Sequence, residues 1–240
     1  MRIPSKGILH IGLRVLHIKK FRRIRQSGTT VKEACMITSK KRFSVSRMVY
    51  LAILTALVII LQLTGIGIRL PFLATPISLV LIPIALGAML LGPLAGAFLG
   101  FLFGMIVFIT CAVMGMDPLF TGVLFANNPI MTALICIVKS TAAGFVAGWV
   151  YKLLKNFNSL LATFTAAAIV PILNTGLFVL GCLVISDTIA ANFVAEGSTV
   201  IYFLIIGCAG INFIFEFLIN IIFSPAIHRI MEVVSKRLKF

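Results

Sequence analysis

The sequence predicts an all-α integral membrane protein: a bundle of six transmembrane helices with both termini in the cytoplasm. Three observations predict it. The 240 residues are 60% hydrophobic and only 11% charged, a balance that soluble domains do not show. The apolar residues fall into runs, several of them long enough for the roughly 20 helical residues that a bilayer requires. The charges are also lopsided, with thirteen of the 21 Lys and Arg residues ahead of the first run. The net charge of +15 is therefore read as a positive-inside flank beside anionic lipid, not as a nucleic-acid surface.

Residues 1–47 form a basic N-terminal segment, and residues 48–240 the membrane domain. Ile8 to Ile24 has the pattern of a short amphipathic helix on the membrane surface. It lacks the apolar core of a signal peptide. Lys32-Glu33-Ala34 can be encoded as AAG-GAG-GCN, a bacterial ribosome-binding sequence just ahead of Met36. Translation is therefore expected to start at Met36, with residues 1–35 a mis-called extension.

The first span runs from about Met48 to Gly65, with Ala52 and Ala56 on one face. Small residues four apart let another helix approach, within the bundle or from outside it. Ile66 to Pro76, with Pro71 and Pro76, reads as a structured loop. A short second span, Ile77 to Leu91, contains Pro83. Gly92-Pro93 turns into the third, Leu94 to Met114. Gly92, Gly96, Gly100 and Gly104 recur every four residues, a stripe for close packing. Gly115 to Asn127 is a longer connection.

The fourth span, Asn128 to Leu154, carries Lys139 near its middle. A lysine there costs a few kcal/mol on insertion scales and must face a cavity or partner. Lys152 and Lys155 snorkel from the far end. The fifth span, Leu160 to Ile185, has Pro171 and Asn174 at mid-depth. The proline frees a carbonyl there, which needs a donor or a polar cavity. Ser186 to Ser198 is polar. The sixth span, Thr199 to Phe223, ends at a break or kink marked by Ser224-Pro225, and the chain closes on a basic tail. Asn212, Glu216 and Asn220, four apart, share one face of it. Lys152, Lys155 and the basic ends mark the cytoplasmic side; Arg69, Asp117, Asp187 and Glu196 fall on the other.

The intramembrane polar set is Lys139, Asn174, Asn212, Glu216 and Asn220, with Asn128 and Thr132 nearer the outer end. It permits a structural Lys139–Glu216 ion pair, or a pocket for a small polar ligand. In a pocket, lysine is a point charge for a carboxylate, and Glu216 accepts from a hydroxyl or amide. The candidate substrate-binding residues are thus Lys139, Asn128, Thr132, Asn174, Asn212 and Glu216. No HExxH or hydrolase set is present, which argues against an enzyme. No GxxxxGK[ST] run is present either, so this chain cannot itself hydrolyse nucleotide by that route. The five cysteines lack metal or redox spacing and read as buried thiols.

Several motifs resemble one family in order along the chain. They are Ala52-x-x-x-Ala56; the run LLGPLAGAFLG from Leu90 to Gly100; GFVAGWVYKLLK from Gly144 to Lys155; Asn174 within PILNTGLFVLG; and Asn212, Glu216 and Ser224-Pro225-Ala226. Over about Met48 to Lys239 the sequence resembles the substrate-binding (S) subunits of energy-coupling factor (ECF) vitamin transporters. The resemblance implies a subunit of the bacterial plasma membrane that captures a water-soluble vitamin from outside and topples to deliver it. Its partners would be a membrane coupling subunit, docked on the Ala52/Ala56 face, and two cytoplasmic ATPases. ATP would be used by those partners, and no cofactor or metal is expected in this chain. The later helices would build the pocket and the loop after the first span would cap it. The likeness is greatest to the pantothenate-type subunits, which carry an arginine where Lys139 stands; the charge is kept. Pantothenate, with one carboxylate, one amide and two hydroxyls, suits the polar set. Riboflavin suits it less, because the pocket helices offer few aromatics beyond Phe213 and Phe217. The competing reading is a self-sufficient secondary transporter or channel using Lys139 and Glu216 as a proton-linked pair.

Overall fold

The computed structural model describes residues 45–64 and 78–238. The basic stretch Ile8 to Ile24, the start at Met36, the Ile66 to Pro76 loop and the final residues of the basic tail lie outside the described residues. The helical bundle belongs to the unit Ser46–Phe240. Among the described residues every regular element is helical.

In chain order these are α1 (Val45–Leu63), α2 (Leu81–Leu91), α3 (Pro93–Val107), α4 (Thr121–Asn127), α5 (Pro129–Leu154), α6 (Ser159–Val184), α7 (Ser186–Phe193), α8 (Val200–Tyr202) and α9 (Ile211–Leu238). A π-helical stretch, Phe108–Val113, extends α3, and another, Phe203–Gly210, joins α8 to α9. Among the described residues, five continuous helical segments are long and apolar enough to cross a membrane: Val45–Leu63, Pro93–Val113, Pro129–Leu154, Ser159–Val184 and Val200–Lys236.

The second span differs from expectation. Its described helix, α2, has 11 residues, about 16 Å of rise and roughly half a hydrocarbon core. It is nevertheless central, with Leu81, Ile84, Ala85 and Ala88 fully buried. Pro83 sits in its first turn, where a missing N–H leaves no bond unmade. Gly92, at φ 104°, ends α2 in a conformation that only glycine adopts cheaply. Pro93 then opens α3 with its φ already set. The polar connections are also partly helical. Asp117 accepts from the Thr121 hydroxyl at 2.6 Å and from the Thr121 amide at 3.1 Å, which starts α4. At the other end of the bundle the Asn158 side chain caps α6 through the amides of Leu160 and Leu161.

Of the break or kink expected at Ser224-Pro225, the break is absent, and α9 runs through Pro225 to Leu238. The proline deletes one backbone bond. Packing of the next two turns outweighs that loss, since Ile227 and Met231 are buried in the main core. Pro171 likewise lies inside a continuous α6.

The glycine stripe has a clear physical cause. A Cβ at Gly96 would strike the Gly144 carbonyl, one at Gly100 the Ser140 carbonyl, and one at Gly104 the Cys136 carbonyl. A Cβ at Gly148 would come within 2.7 Å of Pro93 Cα. Helices α3 and α5 therefore run antiparallel with their backbones touching at four-residue intervals. Only glycine permits that approach, and it fixes the register of α5, including Lys139, against α3.

Two apolar clusters make up the interior. The larger joins α1, α2, α3, α5, α6 and the end of α9. The smaller holds Phe120, Leu124, Ile135, Cys182, Ile185, Ile189, Leu204 and Cys208. Outward-facing side chains such as Ile53, Leu134, Leu180 and Ile222 are exposed, as lipid contact requires.

Candidate functional site

A cavity of about 100 Å³ is lined by members of both clusters. It carries the polar side chains that the sequence places at depth. Lys139 and Thr132 reach it from α5, Asn174 from α6, and Asn212 and Glu216 from α9. Asn128 does not line it. Its non-helical backbone at the N-cap of α5 directs the side chain to α7, where Nδ2 donates to Thr188 Oγ1 at 2.6 Å. Asn220 lies one turn beyond Glu216, fully buried, donating to the Glu216 carbonyl at 2.9 Å. Ala52 and Ala56 are exposed on α1, so they do not serve packing within this bundle.

Lys139 and Glu216 form no ion pair. The ion pairs among the described residues are His228–Glu232 and Arg229–Glu232. Instead, Lys139 Nζ stands 4.8 Å from the centroid of the Phe178 ring, a cation–π contact. Glu216 Oε1 accepts from the Ser78 amide at 3.0 Å and from Asn212 Nδ2 at 3.5 Å. Its other oxygen, Oε2, is buried and has no hydrogen-bond partner among the described residues; the same holds for Asn174 Oδ1 and Ser78 Oγ. An unsatisfied buried polar atom costs about 1–3 kcal/mol. Three of them around one cavity mark where a polar guest restores the missing bonds.

Several lining residues escaped the sequence reading. Gln62 of α1, Ser78, Asp117 and Thr121 come from elements not assigned to the pocket. The aromatic wall is Phe103, Phe120 and Phe178. Phe213 and Phe217, expected there, pack on each other at 5.7 Å and do not line the cavity. One signal was available: Phe178 is one helical turn from Asn174, hence on the same face. The contributions of Phe103 and Phe120 depend on tertiary packing alone. Both π-helical stretches also reach the cavity, through Cys111 and through Cys208 and Ala209. Such wide turns gather at functional sites because they re-aim side chains. The cysteines cluster nearby, Cys136, Cys182 and Cys208 buried and Cys111 half-buried.

Helices long and apolar enough to span a bilayer define a multi-pass membrane protein, with a cavity inside the bundle lined by both polar and apolar side chains. A family model described as the ECF transporter substrate-specific component matches residues 46–228, and the chain belongs to that family. It is a transport subunit, not an enzyme. Membership implies a small-molecule substrate, a membrane coupling subunit and ATPases. No curated protein matches the chain.

Proposed function

We propose that this subunit captures pantothenate outside a bacterial plasma membrane and delivers it through a coupling subunit and two cytoplasmic ATPases. The observation that carries the reading is that Lys139 and the unsatisfied oxygens of Glu216 and Asn174 line one cavity without meeting each other. The lysine takes the carboxylate of the vitamin. Glu216 and Asn174 accept from its hydroxyls and amide N–H. The aromatic wall removes the earlier objection to a ringed vitamin. The cavity, of about 100 Å³, is small beside the roughly 300–1,000 Å³ usual for small ligands and must widen for any vitamin; a compact acid needs less widening than a tricyclic flavin.

The orientation follows the same reading. Six spans, with α2 and the residues before it as the short second one, put both termini in the cytoplasm. Arg47, Lys152 and Lys155 line one cavity, away from Asp117 in the other, which supports a basic cytoplasmic end. Residues 1–47 form the cytoplasmic flank and 48–240 the membrane domain. The exposed Ala52/Ala56 face docks the coupling subunit.

Equilibrium binding of labelled pantothenate to the purified protein is the test. Saturable binding that Lys139→Ala abolishes is the expected result. No binding by the unmutated protein discards pantothenate, and binding that survives in Lys139→Ala removes Lys139 from the site.

A further inference from the structure

Two carboxylates share the cavity wall with Lys139, Asp117 and Glu216, and it forms an ion pair with neither. Asp117 is already committed. Its Oδ1 accepts from the Phe120 amide at 3.4 Å, and its Oδ2 from the Thr121 amide at 3.1 Å and hydroxyl at 2.6 Å. Glu216 is not, since its buried Oε2 has no hydrogen-bond partner among the described residues. A lysine stem is flexible, and a bare carboxylate in the same water-poor cavity attracts its ammonium strongly. Holding the charge elsewhere takes a competing contact. That contact is Phe178, whose ring lies beneath Nζ at 4.8 Å to the centroid, inside the range of a cation–π interaction. The ring is itself braced. Its centroid is 5.8 Å from that of Phe120, which is buried and packs in turn on Phe193 at 5.0 Å.

We propose that Phe178 is a positioning residue: it holds the Lys139 ammonium away from Glu216, and so keeps both groups open for an acid that also carries hydrogen-bond donors. A closed Lys139–Glu216 pair would neutralise the two together. The ring takes one side of the ammonium and leaves N–H donors on the other. A guest carboxylate therefore binds Lys139 without displacing the ring, and Glu216 Oε2 accepts from a donor of the same guest. Selection of an acid over its neutral analogue then depends on Phe178 as well as on Lys139. The assignment rests on the reading of this cavity as the ligand site.

The test has one arm without ligand and one with it, both on the full-length protein in detergent. Thermal unfolding is measured for Lys139→Met, Glu216→Gln and their combination, first with Phe178 unchanged and then with Phe178→Leu. The two shifts are expected to add nearly fully while Phe178 is present. In Phe178→Leu, where Lys139 and Glu216 close on each other, they are expected to miss additivity by several degrees. Replacing Phe178 with trifluorophenylalanine keeps the shape and withdraws charge from the ring face. It is expected to act as Phe178→Leu does, and it decides this arm if Phe178→Leu does not fold. The same coupling with and without the ring face, small or large, overturns the proposal.

In the second arm, affinity is measured for labelled pantothenate and for its alcohol analogue, which lacks the carboxylate. Loss of the ring face is expected to weaken the acid about tenfold and the alcohol little. Equal weakening of both makes Phe178 a packing residue and overturns the proposal. No binding of pantothenate by the unmutated protein removes the vitamin; the unfolding cycle, which needs no ligand, then supports or overturns the role of Phe178 by itself.

Discussion

Asn174 shows what a binding residue costs a fold. It sits on α6 at only 7% exposure, and its Oδ1 has no partner among the described residues. Replacing it with an apolar residue removes that deficit, worth about 1–3 kcal/mol. Asn174→Leu is expected to raise the thermal unfolding temperature in detergent and to weaken ligand binding in the same protein. A variant that lost stability would show that Asn174 is satisfied in the resting protein and is not held ready for a guest. The polar character of this position was legible in the sequence, because an asparagine in mid-span is expensive and demands an explanation. The same reasoning flagged Lys139 and Glu216. It misplaced Asn128, whose side chain is committed to Thr188 sixty residues away. It also missed Ser78, inside the expected second span but ahead of α2, and Asp117, in a connection; both reach the cavity only through the path of the chain. Helical spacing predicts which residues share a face; it does not predict what a loop brings to that face.

Helices α3 and α5 carry the positional accuracy of the site. Their glycine stripes interlock, so a single added methyl at the crossing pushes two backbones apart. Gly100→Ala, which would drive a Cβ into the Ser140 carbonyl, is expected to destabilise by about 1–3 kcal/mol, as overpacking does. It also shifts Lys139, the neighbour of Ser140, and so weakens ligand binding. Gly176→Ala is the control, since nothing lies within 4 Å of the added Cβ. Removing a helical glycine there is expected to leave stability equal or up to about 1 kcal/mol higher. Thermal unfolding of the two variants, with ligand binding measured alongside, separates backbone contact from helix propensity. The packing role of this stripe was legible from its period alone. The continuity of α9 was not. Its polar row extends from Asn212 through Glu216, Asn220, Ser224 and His228 to Glu232, every fourth residue. The row looked shorter in the sequence because proline at position 225 is a strong local stop signal. Burial of Ile227 and Met231 overrides it, a tertiary effect with no local signature.

At the scale of the molecule, the bundle is asymmetric in how its helices are used. Helices α2, α3, α5 and α6 build the interior, whereas α1 buries only Leu54 and Val58. Composition and run length were enough to read a multi-pass α-helical protein, but not to reveal that α1 is the least embedded member. Ala52 and Ala56 are two residues from that buried pair, about 200° around the helix at 100° per residue. They therefore point directly away from the core, flanked by exposed Met48, Val49, Ile53 and Ile60. A small-residue face turned outward serves close approach by a second protein, since lipid exerts no selection for smallness. Ala52→Leu with Ala56→Leu adds bulk only on this outer face. The double variant is expected to keep its unfolding temperature and its affinity for ligand, because neither Leu54 nor the cavity is touched. In cells supplying the coupling subunit and ATPases, vitamin uptake through it is expected to be lost, along with copurification of those partners. Uptake at the unmutated rate would move the assembly face to another part of the surface. Loss of binding together with uptake would show instead that α1, through Gln62 at the cavity wall, transmits changes on its outer face to the site.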